Sequence, residues 1–222
     1  IYAGLYQIRD GVYWMPEEDW EFVANHPNMF AKNCRQSDEP DCRIRNPIWT
    51  DEWLMDISDI DESHPDDITH WVNFFVATTK NRIKQDGYID GLFIDELMLP
   101  YTMIMPENIP TFDAWFEHLK NMAEFIRRHN KNIPIVFNGL QQNFLFFPRM
   151  RELLRYTDGA LFECFVLCWL AGPYMGEWVW EQTLKLSLQL ERLGKAQFLQ
   201  AIWDGSPDEL TKDLRLLALA SY

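Results

Sequence analysis

Apolar positions recur in two distinct rhythms along the chain. Short unbroken runs, Gly91-Leu92-Phe93-Ile94 and Gly159-Ala160-Leu161-Phe162, are each closed by a carboxylate. Runs this short, rich in Phe, Ile and Leu, read as buried strands. Between them apolar residues recur at three- and four-residue steps: Phe112, Trp115, Phe116, Leu119, Met122, Ala123 and Ile126. That spacing puts one buried stripe on a helix. Thr111 caps its start, and Arg127, Arg128 and His129 suit the negative end of its dipole.

The rest of the chain continues the alternation. Ile1 to Gln7 is the first strand expected, and Arg9-Asp10-Gly11 turns the chain. Pro16 opens a helix to about Ala24, and Asn28 to Lys32 form a short strand. Trp53 to Ser58 form the next strand, with Asp56 near its end. Ser63 and Pro65 start a helix that runs to about Gln85 and stops before Gly87. Ile133 to Phe137 are a strand with a polar tip at Asn138-Gly139, and Pro148 to Tyr156 a short helix. A helix from Gly176 to Leu193 precedes a strand from Ala196 to Ile202, and Ser206-Pro207-Asp208-Glu209 opens a last helix.

Strand ends thus fall near Asp95, Asn138, Glu163 and Trp203, spaced like successive βα units. The fold class expected is α/β, a parallel (β/α)8 TIM barrel in one domain spanning residues 1 to 222. Six or seven strands are legible, so the barrel is expected to be truncated or short of a strand at an end. The abrupt start at Ile1 points to a trimmed N-terminus.

In such a barrel the C-terminal ends of the strands carry the chemistry. Asp95 and Glu163 end strands separated by one strand, so both reach the same rim. Glycosidic cleavage uses two carboxyl groups, one to protonate the leaving oxygen and one as nucleophile or base. Asp95 is the nucleophile candidate. Glu163, among Phe162, Cys164 and Phe165, is the acid candidate, because apolar surroundings favour a neutral carboxyl. Asp56, Glu96 and Asn138 are candidate substrate-orienting residues. Ten Trp and eight Tyr are many for 222 residues, and aromatic faces suit the C–H face of a sugar. Tyr6, Trp49, Trp53, Tyr101, Trp169 and Trp203 lie at or after strand ends and are expected to line a groove. Trp115, on the helix stripe, belongs to the core.

Composition narrows the partners. A net charge of −14 disfavours nucleic acid and would attract a cationic sugar such as an amino sugar. No apolar run is long enough to span a bilayer. No nucleophile elbow, phosphate loop, dinucleotide fingerprint or His-Glu-x-x-His motif is present, so no metal or cofactor is implied. The default for the four Cys is free, buried thiols. Cys34 and Cys42 also bracket a polar loop that a disulfide could close in an oxidising compartment, which favours a secreted protein.

Taken in order, His26-Pro27-Asn28-Met29-Phe30, Trp53-Leu54-Met55-Asp56-Ile57, Asp90-Gly91-Leu92-Phe93-Ile94-Asp95-Glu96 and Asp158-Gly159-Ala160-Leu161-Phe162-Glu163 resemble the barrel-fold glycoside hydrolases related to the endo-polygalactosaminidase and melibiase-like barrels. Met29 stands where that group often has Trp, and the Cys34 to Cys42 insertion is unusual there; both bear on substrate preference. The resemblance implies Asp95 as nucleophile and Glu163 as acid/base. The reading is therefore a glycosidase cleaving an α-linked poly- or oligosaccharide with retention. A barrel that binds carbohydrate without cleaving it, or a structural component, is the alternative.

Overall fold

The structure is a computed structural model and describes residues 7–9, 17–46, 52–86, 90–95, 97, 104–140, 147–163, 165 and 177–200. The elements run β1 (Gln7–Arg9), α1 (Glu17–Ala24), a 3-10 turn (Pro27–Met29), β2 (Glu52–Leu54), α2 (Trp71–Asp86) and β3 (Leu92–Ile94). They continue with α3 (Phe112–His129), β4 (Ile135–Asn138), α4 (Phe147–Leu153), β5 (Gly159–Phe162), α5 (Glu177–Arg192) and β6 (Ala196–Leu199).

The strands from β3 onward form a four-stranded parallel sheet in chain order, β3-β4-β5-β6. Each neighbouring pair is joined through a helix, as parallel pairing requires. Alternation sorts the side chains onto two faces. Leu92, Ile94, Ile135, Phe137, Ala160 and Phe162 are buried, in one core with Trp71 and Phe75 of α2 and with Trp115, Leu119, Met122 and Ile126 of α3. The other face carries Phe93, Val136 and Leu161, all half-buried, and Phe198, 53% exposed. α3 begins and ends as its sequence dictates: Ala114 N–H donates to Thr111 Oγ1 at 3.2 Å, and three basic residues close the last turn.

The opposite, N-terminal edge of this sheet is clamped by Asp158. One of its oxygens accepts from Ile135 N–H at 2.7 Å and also from the Arg127 guanidinium. Arg127 itself donates to the carbonyls of Tyr156 and Ile133. Burial works against the Asp158 charge, but the Ile135 N–H, Arg127 and Lys195 together hold the carboxyl below the ordinary aspartate range. A depressed folded value means stability that is present above the unfolded pKa and is lost as pH falls through the folded one. Asp158→Ala removes the acceptor of the Ile135 N–H and one of Arg127's, and because the carboxylate is half exposed it is expected to cost about 0.5–1.5 kcal/mol at pH 7. Urea unfolding should show the gap to the wild type closing below roughly pH 4; a gap unchanged at pH 3 would contradict the clamp.

Four expectations need correction. First, β1 and β2 pair antiparallel, Gln7 opposite Leu54 and Arg9 opposite Glu52, rather than joining an all-parallel sheet. Antiparallel bridges Phe30 to Met55, Lys32 to Arg43 and Arg45 to Trp53 extend this region. Within it, Cys34 and Cys42 are disulfide-bonded across the reversal that sets 43–45 beside 30–32. Second, those two Cys are therefore not free thiols; Cys164 and Cys168 lie outside the described residues. Third, 28–32 hold a 3-10 turn and isolated bridges, not a strand. Fourth, α2 starts at Trp71, well after Ser63. Asp61 accepts from the backbone N–H groups of Ser63 and His64, and Asp67 from that of Thr69. Such side-chain turns compete with the helical hydrogen bonds and delay the helix.

Candidate active site

The register of the parallel sheet builds the site. Ile94 lies beside Phe137 and Asn138 beside Leu161. One residue on from β3 is Asp95, level with Asn138 at the tip of β4. Glu163 follows β5, on the same face as Leu161 by alternation. Three polar side chains thus gather at the C-terminal ends of three adjacent strands. The pairing of β3 and β4 is carried past the strands by Leu97 N–H donating to the Asn138 carbonyl at 2.9 Å. Immediately after, Gly139 takes φ 122°, in the left-handed region where glycine is favoured.

Asn138 joins the two carboxylates. Its Nδ2 donates to Asp95 Oδ1 at 3.0 Å and to Glu163 Oε2 at 2.9 Å. The two acceptor oxygens can be no further apart than these two lengths laid end to end. Asn138 is 5% exposed, and a buried amide of this kind needs its hydrogens accepted. Asp95 and Glu163 stay half-buried and keep a route to solvent.

The structure does not bring every expected residue into this group. Asp56 Oδ1 accepts from Ser58 N–H at 3.0 Å and Ser58 Oγ at 2.5 Å, and its Oδ2 accepts from Asn108 Nδ2 at 3.0 Å. It ties the 104–110 segment to the end of β2, which is a hydrogen-bonding role. Trp53 is 3% exposed, with Arg43 and Arg45 stacked over its ring at 4.3 and 4.4 Å. It is a core residue whose ring is covered by two guanidinium groups and does not line an open groove. Trp115 is fully buried, as the helix stripe implies. Tyr6, Trp49, Glu96, Tyr101, Trp169 and Trp203 lie outside the described residues.

Two polar groups were not anticipated. Asn108 bridges Asp56 and Ser58 Oγ across 52 and 50 residues, a separation no local pattern announces. His70 Nδ1 lies 2.5 Å from Asp59 Oδ1. The contact with Asp59 pushes His70 above the ordinary imidazole range, and burial pushes Asp59 up despite it. Asp61, Asp67 and His70 offer donor atoms within 4.8 Å of one another, the one such cluster among the described residues. Its carboxylates serve the turns before α2.

The matching family model covers residues 1–203 and describes the Hypothetical glycosyl hydrolase family 15. The chain belongs to this family. Among solved structures, the glycoside hydrolase domain of PelA from Pseudomonas aeruginosa is similar over 99% of this chain and 72% of that one, with 17% identity and a TM-score of 0.60. A variant of the same domain matches over 90% and 76%, with 15% identity and a TM-score of 0.50. At these identities the likeness is one of fold. No curated protein matches the chain. The membership agrees with the sequence resemblance to glycoside hydrolases. Among the described residues no helix is long and apolar enough to cross a membrane.

Proposed function

We propose that this member of the Hypothetical glycosyl hydrolase family 15 is a glycosidase that cleaves an O-glycosidic bond in a poly- or oligosaccharide with retention. Asp95 is the nucleophile and Glu163 the acid/base. The observation that carries the reading is the shared hydrogen-bond donor. With one amide nitrogen, Asn138 Nδ2, at 3.0 and 2.9 Å from an oxygen of each carboxylate, the two groups stand within reach of a single donor, which supports the shorter, retaining spacing. Inverting pairs stand roughly 6.5–9.5 Å apart and retaining pairs about 5–5.5 Å.

The chemistry follows from the placement. Asp95 attacks the anomeric carbon as the C1–O bond breaks, and the Glu163 proton passes to the departing oxygen. Glu163, now a carboxylate, takes a proton from water, and that water releases the sugar from Asp95. Parallel strands in chain order, joined to one another through helices, are the arrangement of a singly wound barrel, and we read the sheet as part of one. The acidic surface favours a neutral or cationic sugar over an anionic one.

The test is hydrolysis of a panel of α-linked glycans, including galactosaminoglycan, with the anomer of the first-formed product followed by proton NMR. Early product of unchanged configuration is expected. Inverted product would overturn retention. Binding without cleavage across the panel would favour a carbohydrate-binding barrel.

A further inference from the structure

Two carboxyl groups this close face a hazard. Without a donor between them they tend to share one proton, as like charges at short range cannot both ionise freely. A shared proton would disable a retaining pair twice over. The nucleophile would be hydrogen-bonded to the acid, and the acid's proton would point at the nucleophile instead of the leaving oxygen.

Asn138 stands where that proton would go. Its amide nitrogen has two hydrogens, and one is directed to each carboxylate. An oxygen that accepts a hydrogen bond from an amide there presents a lone pair and carries no proton toward it. The reverse orientation, with the amide oxygen between two carboxylates, would be repulsive. Asn138 is buried and sits at the end of β4, with its own carbonyl held by Leu97 N–H. The backbone at Asn138 is thereby fixed, and burial restricts where its side chain can turn.

We infer that Asn138 is the positioning residue that keeps Asp95 and Glu163 from sharing a proton and leaves the acid's proton to Glu163 Oε1, the oxygen that does not accept from the amide. The inference rests on the glycosidase reading for its catalytic meaning but not for its chemistry. It assigns the oxygens: in the first step the proton leaves Glu163 Oε1 for the departing sugar oxygen, while Glu163 Oε2 and Asp95 Oδ1 stay engaged with the amide.

The experiment uses the full chain with Asn138→Leu, which has a similar shape and no donor, and Asn138→Ser, which keeps a single one. Side-chain carboxyl carbons of Asp95 and Glu163 are followed by NMR across pH. The expected result is that the two protonation steps of the pair move further apart in Asn138→Leu, as one proton becomes shared, with Asn138→Ser in between. On a cleaved substrate, kcat should fall about 100-fold in Asn138→Leu while KM changes less than about threefold, and the pH profile should narrow. Circular dichroism identifies a variant that does not fold; Asn138→Ser then carries the comparison. Titration curves unchanged in a folded variant overturn the inference, as does a loss confined to KM with an unaltered pH profile. If the curves separate but no glycan is cut by the wild type, the proton placement stands and the glycosidase reading falls. If the wild type cuts and the curves do not separate, the reverse holds.

Discussion

Asp95→Asn is expected to lower glycan hydrolysis by at least about 10³-fold while leaving the fold intact. The substitution keeps the shape of the side chain and replaces a nucleophilic oxygen with an amide, which forms no glycosyl ester. It also places two amides side by side, so the hydrogen bond from Asn138 to the Asp95 position survives through the new carbonyl oxygen. Glu163→Gln should differ in kind. It removes a proton donor, worth roughly 10²–10⁴-fold, and the loss should shrink for an aryl glycoside whose leaving group departs without protonation. Small anions give a second discrimination. Azide added to Asp95→Ala fills the space on the nucleophile's side of the sugar and should yield a glycosyl azide of inverted configuration. Azide added to Glu163→Ala should attack the intermediate from the other side and yield one of retained configuration. Equal losses with every substrate, and no azide product from either variant, would place the chemistry elsewhere on the rim.

Gly159→Ala should be the most damaging single-methyl addition in the described sheet. A Cβ at Gly159 would lie 2.2 Å from the Ala196 carbonyl oxygen and 2.8 Å from the Ala196 carbonyl carbon. Both are backbone atoms of the neighbouring strand, paired with Gly159 in register and held by Ala196 N–H donating to the Asp158 carbonyl at 2.8 Å. No side chain can swing away to relieve the clash, so β5 and β6 must separate. Overpacking of this kind costs about 3 kcal/mol at the upper end of its usual range, or roughly 6–12 °C in Tm for a chain of this size. Gly91→Ala is the internal control. Its Cβ would meet the Pro134 carbonyl oxygen at 3.2 Å, which a shift of a few tenths of an ångström relieves, and it should cost under about 1 kcal/mol. Thermal unfolding of the two variants side by side checks the pair. Equal Tm values would mean the β5–β6 spacing is looser than the register implies.

The two Asp-Gly motifs show how the sequence carried the site. An apolar run ending in a carboxylate is a local signal, and the parallel register then puts Asp95 and Glu163 at one edge without further information. Asn138 was legible as a polar tip, but its position against both acids joins residues 43 and 25 apart, and only the packed sheet reveals it. Trp53 failed for the opposite reason. An aromatic residue in a strand beside an acid reads like a sugar platform until Arg43 and Arg45 are seen to cover its ring. The early antiparallel strands escaped notice because hydrophobic period does not encode strand direction. The late start of α2 was hidden in side-chain turns at Asp61 and Asp67, which leave no mark on apolar spacing.

The disulfide has a practical consequence for anyone handling the protein. The Cys34–Cys42 loop fastens to the 104–110 segment through Asn33 Nδ2 on the Met105 carbonyl, Cys34 N–H on Glu107 Oε1 and Glu107 N–H on the Lys32 carbonyl. That segment in turn holds Asp56 through Asn108. Dithiothreitol in a purification buffer would therefore slacken a strap running from the surface to the end of β2, and limited proteolysis should nick the reduced protein near this loop before the oxidised one. Production in an oxidising host compartment, with no thiol added afterwards, is the preparation that matches the fold described.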